Sequence, residues 1–174
     1  DGITYYDDNK EVQKLTYNSE KQYIIKQSNA GTATNNTISI GTQSKPVNNN
    51  YTIYLDGVNI DAPHSDDEHK PAIYVNTESN TVNLVLKDNS NNKVVAYAQK
   101  NASVTEEKRY AHAAIEKEVG TRGTLNIVCE AGLKSKSGHN CTKDGTCGKL
   151  TATAKGGTTY FNGAAIGTKG YIGT

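Results

Sequence analysis

The chain is 174 residues long, carries a formal net charge of +1 and is only 34% hydrophobic. That balance gives no overall electrostatic case for nucleic acid or an anionic membrane, and no apolar run reaches the roughly 18 residues of a spanning helix. The low apolar fraction argues against a thick globular core, while frequent Tyr, Val, Ile and Thr argue against disorder; a narrow, elongated β core fits both.

Met and Trp are absent. The lack of an initiator residue suits a processed or excised segment, and secretion to a cell surface or the extracellular space is the expected localisation. The stretch Gly170 to Thr174 stops inside what reads as a repeat, so coils are expected to continue past it.

From the N-terminus, residues 1–50 are expected to form a cap and the first strands. Tyr23–Lys26 is a short apolar run, and Thr37–Ile40, Thr52–Leu55 and Val58–Ile60 alternate. Thr81–Leu86 and Thr124–Val128 alternate with one apolar face, and Leu150–Ala154 closes the series. Period-two alternation marks half-buried strands. Asp56-Gly57, Asn89 to Asn92 and Gly156-Gly157 punctuate them as turns. The one helical candidate is Ser103 to His112, where Ser103 and Glu106 have capping-box spacing; a charged loop is the other reading.

Internal repetition decides the architecture. Pro71-Ala72-Ile73-Tyr74 precedes the strand at Thr81, Ala113-Ala114-Ile115-Glu116 precedes the strand at Thr124, and Gly163-Ala164-Ala165-Ile166-Gly167 opens a third copy. Ile73 and Ile115 lie 42 positions apart, and Ile115 and Ile166 lie 51 apart. A constant pattern with a variable period fits a parallel β-helix, whose coils stack through strands and absorb insertions in outward turns. A β-sandwich would need hairpin-linked strands of equal length, which the turn dipeptides do not provide. The prediction is an all-β, right-handed parallel β-helix (a solenoid) with long loop insertions, its coils running from 51 to 174. Ile73, Ile115 and Ile166 form one internal column, and Leu84 and Ile127 another. Each buried member contributes about 1.5–3 kcal/mol. The insertions are placed at Asn89–His112 and Gly132–Lys149.

The chain has three cysteines. Cys141 and Cys147 flank a five-residue Thr/Lys/Asp/Gly segment, which reads as a disulfide-stapled loop in an oxidising compartment, or as two thiols. Cys129 continues the apolar alternation of Leu125 and Ile127 and reads as a small buried hydrophobe.

The loop from Asp61 to His69 is the candidate metal site. Calcium needs six to eight oxygens, and Asp66, Asp67 and Glu68 could supply carboxylates; a solvated acidic loop is the competing reading. His64 and His69 lack the companions of a zinc site. Sugar binding uses planar rings and fixed polar groups. With Ile53, Leu55, Ile73, Val75 and Ile115 inward, Tyr54, Tyr74 and Glu116 are expected outward in one column with Lys117 beside them. Lys117, Lys87 or Arg122 could pair with a uronate carboxylate. A tyrosine ladder that merely stiffens the surface is the alternative. No catalytic residues are expected: Arg109 and Arg122 are the only arginines, and Asp66-Asp67 sits on a loop.

The run Tyr51 to Ile60 leading into Pro71-Ala72-Ile73-Tyr74-Val75, with the corners Ala113-Ala114-Ile115 and Gly163 to Gly167, resembles a family of bacterial carbohydrate-binding domains that includes a polygalacturonate-binding β-helix. The resemblance spans roughly residues 51 to 174. It implies a secreted or surface-attached right-handed parallel β-helix that binds acidic plant polysaccharide and carries calcium. The long excursions and the cysteine pair depart from that pattern. The expected function is thus a non-catalytic extracellular carbohydrate-binding module. The alternatives are a structural or adhesive filament subunit that self-associates through its solenoid ends, and a polysaccharide lyase.

Overall fold

The computed structural model describes residues 2–7, 10–16, 23–65, 68–97, 110–135, 145–156 and 163–171. It is all-β with parallel sheets. Three larger sheets dominate, and the chain moves between them in a fixed order. In sheet B lie β3 (Tyr23–Lys26), β5 (Tyr51–Asp56), β10 (Thr81–Leu86) and β14 (Thr124–Cys129). In sheet C lie β6 (Asn59–Asp61), β11 (Asn91–Tyr97) and β15 (Lys149–Lys155). In sheet A lie β4 (Ile38–Ile40), β9 (Ile73–Val75), β13 (Ile115–Lys117) and β16 (Ile166–Gly167). Four times the chain runs B, then C, then A; on the first pass the sheet C position is a bridge between Thr34 and Ile60.

Equivalent positions of successive passes pair in parallel register. Ile115 aligns with both Ile73 and Ile166, and Ile38 aligns with Ile73. Leu84 aligns with Ile53 and Ile127. Ile53, Leu55, Ile73, Val75, Leu84 and Ile115 are fully buried. The repeat therefore does what its spacing implied: one β-branched or leucine side chain per pass fills a shared interior, buried by the residues on either side in the stack. Ile166, on the last described strand of its sheet, is 47% exposed.

The small residue before each isoleucine carries the corner. Ala72 O accepts from Ile38 N at 2.9 Å, Ala114 O from Ile73 N at 3.0 Å and Ala165 O from Ile115 N at 3.2 Å. Ala72 and Ala114 have no exposed surface. Gly41 supplies another corner: its φ is +80°, and a Cβ there would lie 2.6 Å from Asn76 O.

Two antiparallel strands, β1 (Gly2–Asp7) and β2 (Lys10–Thr16), extend sheet A beyond β4. Short pairs also join β7 (His64–Ser65) to β8 (Glu68–His69), and β12 (Tyr110–Ala111) to β17 (Gly170–Tyr171). A five-residue helix, α1 (Glu130–Lys134), follows β14 directly.

Two boundaries differ from the sequence expectation. The excursion assigned to Asn89–His112 does not open at Asn89, because Asn91–Tyr97 is strand β11 in the middle of sheet C. The Asn-rich start disguised it: Asn92 points inward and is fully buried, accepting from Val58 N and donating to Ser90 Oγ and Lys149 O. A polar residue at an interior position is tolerated when its bonds are made. The second excursion opens with α1, not at Gly132. Cys129 faces inward in register with Leu86, yet is only half-buried, and its Sγ accepts from Gly132 N at 3.2 Å. The candidate helix at Ser103–His112 lies outside the described residues except Tyr110–His112, of which Tyr110–Ala111 is a strand.

Candidate functional site

The column expected to bind sugar does not form. Tyr54 belongs to sheet B, where it aligns with Ile24 and Val85; Tyr74 and Glu116 align with each other in sheet A. Tyr54 is 7% exposed and Glu116 only 2%. Alternation identified the outward face correctly but could not show that the face is covered. Helix α1 packs against β10 and β14, close enough for Lys134 to interact electrostatically with Tyr54.

On sheet A the polar groups satisfy one another. Glu116 Oε2 lies 2.7 Å from His112 Nδ1 and accepts from Ala113 N at 3.3 Å. The Tyr74 hydroxyl donates to Glu118 Oε2. Burial, then that bond and the charges of Glu118 and Glu116, push the Tyr74 phenol above the usual tyrosine range. Lys117 Nζ donates to Thr121 O and Oγ1 at 3.0 and 2.9 Å. Lys87 is paired with Asp56 at 3.8 Å, while Arg122 is exposed. Of the sheet A set, Tyr74 and Glu116 are brought together, but as part of a braced wall.

An exposed cluster forms instead on the outer face of sheet C. Tyr97 ends β11, and its hydroxyl donates to Asp61 Oδ1 at 2.7 Å. Lys155, in register with Tyr97 on β15, donates to the same hydroxyl at 3.0 Å and sits 4.9 Å from the ring centroid. The bond to Tyr97, with the electrostatic influence of Tyr97 and Asp61, holds the Lys155 ammonium above its ordinary range. The His64 ring stacks on Tyr97 with centroids 3.7 Å apart and planes 19° apart, and its Nδ1 lies 3.2 Å from Ala62 O. His64 and Lys155 are exposed, and Tyr97 and Asp61 half-buried.

This geometry suits adsorption of a polar ring. The His64–Tyr97 stack is a fixed aromatic surface, and the Tyr97 hydroxyl, Asp61 and Lys155 are hydrogen-bonding groups at its edge. Sequence reasoning passed over Tyr97 because β11 was assigned to a loop. The β-branched, apolar run Val94-Val95-Ala96 leading into Tyr97 was the signal that could have found the strand.

Asp66 and Asp67 lie outside the described residues, and of Glu68 only the backbone, in β8, is described. Among the described residues no group of three or more His, Cys, Asp or Glu could hold a metal ion, and no helix is long and apolar enough to cross a membrane. Cys147 is disulfide-bonded and Cys129 is a thiol; Cys141 lies outside the described residues. Comparison with protein-family models, curated proteins and solved structures finds no match.

Proposed function

We propose that this chain is a non-catalytic, extracellular carbohydrate-binding module built on a right-handed parallel β-helix. The repeated B–C–A path and the aligned isoleucine column support the helix, and its right hand follows the general rule for parallel crossovers. Pairing of Cys141 with Cys147, suited to an oxidising compartment, belongs to the same reading and rests on the disulfide state of Cys147.

The observation that carries the function is the exposed His64–Tyr97 stack with Asp61 and Lys155 at its edge. Such a surface binds without chemistry. It is open, its phenol is bonded on both sides, and the aromatic face is held by the sheet. An acidic plant polysaccharide is the substrate class that fits a lysine at that edge. The test is retention of the purified chain on a panel of insoluble glycans that includes cross-linked polygalacturonate, cellulose and xylan. Retention on at least one, competed by the soluble form, is expected. Flow-through on all of them would contradict the reading.

A second reading, a structural or adhesive solenoid subunit, draws on the half-exposed apolar positions Leu125, Ile127, Leu150 and Ile166 on the last described strand of each large sheet. Sedimentation across a wide concentration range tests it: ordered polymers support it, and a monomer at every concentration removes it.

A further inference from the structure

We infer that the outer face of sheet C is a cation track for a polyanionic glycan, in which lysines, not a bridging metal ion, meet the anionic groups. The inference rests on the carbohydrate-binding reading and deepens it.

Strand β15 points Leu150, Ala152 and Ala154 inward, in register with Asn92, Val94 and Ala96. Its outward residues are therefore Lys149, Thr151, Thr153 and Lys155. Lys149 and Lys155 sit at opposite ends of one strand, about 20 Å apart at the usual rise per residue. Lys93, on β11, aligns with Thr151 and stands beside the middle of the track. All three lysines and Thr151 are exposed. None of the three lysines has an ion-pair partner among the described residues.

The only carboxylate among the outward positions of β6, β11 and β15 is Asp61, half-buried and bonded to Tyr97. A chain of net charge +1 thus concentrates an excess of two positive charges on the outward positions of one sheet. Three lysines elsewhere are ion-paired: Lys26 and Lys87 share Asp56, and Lys134 pairs with Glu130. Such a face favours an extended polymer with repeated anionic groups over a neutral glycan or a single small anion. The threonine hydroxyls between the lysines add donors for sugar oxygens. The His64–Tyr97 stack gives this face an aromatic end, which selects a sugar ring over a bare polyanion.

Carboxylate and sulfate ester share this chemistry, and the test separates them. Affinity electrophoresis of the whole chain through gels holding polygalacturonate, dextran sulfate, dextran or duplex DNA is run with and without EDTA and at rising salt. Retardation by polygalacturonate, dextran sulfate or both, unchanged by EDTA and lost as salt approaches about 0.5 M, is expected. Lys93→Ala and Lys149→Ala should each weaken it roughly two- to fivefold, and Lys149→Arg should keep it. Thermal melts confirm that the variants fold. Loss of retardation in EDTA, equal retardation by dextran, or DNA binding as strong as glycan binding would each overturn the inference. Retardation by dextran alone would leave the carbohydrate-binding reading standing, whereas failure of every glycan would remove that reading too.

Discussion

His112 Nδ1 and Glu116 Oε2 lie 2.7 Å apart, four residues from each other along the chain and both almost wholly buried. The pair ties the residues that lead into β13 to the middle of that strand, and Glu116 also holds the Ala113 amide. Removing the Glu116 carboxylate takes a buried hydrogen-bond acceptor from both the His112 ring and the Ala113 amide. Glu116→Ala is expected to cost about 2–3 kcal/mol in urea unfolding. Glycan retention per folded molecule should not change. Lost retention with intact stability would return Glu116 to the binding surface.

The isoleucine column makes a graded prediction. Ile73→Ala and Ile115→Ala each empty a fully buried site between neighbours on both sides and should cost about 2–5 kcal/mol. Ile166→Ala, at 47% exposure, should cost well under half of that. Equal losses at all three positions in chemical denaturation would mean that Ile166 is covered as deeply as the others.

Tyr74 supplies a pH dependence with a definite sign. Its phenol is raised in the fold by burial and by Glu118. A group whose folded pKa is raised stabilises fully below its unfolded pKa, near 10, and that contribution is lost as pH climbs through and beyond this value. Melting temperature should therefore fall above about pH 10. Tyr74→Phe should flatten part of that fall. Absorbance titration of the folded wild type should show one more tyrosine resisting ionisation than in Tyr74→Phe. Superimposable melting profiles would contradict the assignment.

Asn92 tests the cost of a polar residue in the core. It bridges Val58 N, Ser90 Oγ and Lys149 O across three successive passes. Asn92→Leu matches the neighbouring column residue Leu150 in kind but strips the Val58 amide of its acceptor. A loss of roughly 1–3 kcal/mol is expected, against the hydrophobic gain. Thermal unfolding that improves in Asn92→Leu would show that the amide is not needed there.

Much of the architecture was readable because it is repetitive. The Ala-Ile corner recurs, and each recurrence pairs in register with the last. Strand β11 was misread because its interior Asn92 breaks the apolar alternation and its satisfaction depends on backbone groups from other passes. The site was less legible for the same reason. Tyr54 and Glu116 stand at outward positions, but what lies against them is a helix distant in sequence for the one and the local His112 and Ala113 contacts for the other. His64, Asp61 and Tyr97 meet only because β6 and β11 are neighbours, which no local pattern reveals.

The central claim is that glycan contact lies on sheet C at Tyr97 and not on sheet A at Tyr74. Affinity electrophoresis of Tyr97→Ala and Tyr74→Phe, run side by side in polygalacturonate gels after both are shown folded by circular dichroism, tests it directly. The account predicts that Tyr97→Ala is retarded markedly less than the wild type while Tyr74→Phe is retarded like it; retardation kept by Tyr97→Ala and lost by Tyr74→Phe would contradict it.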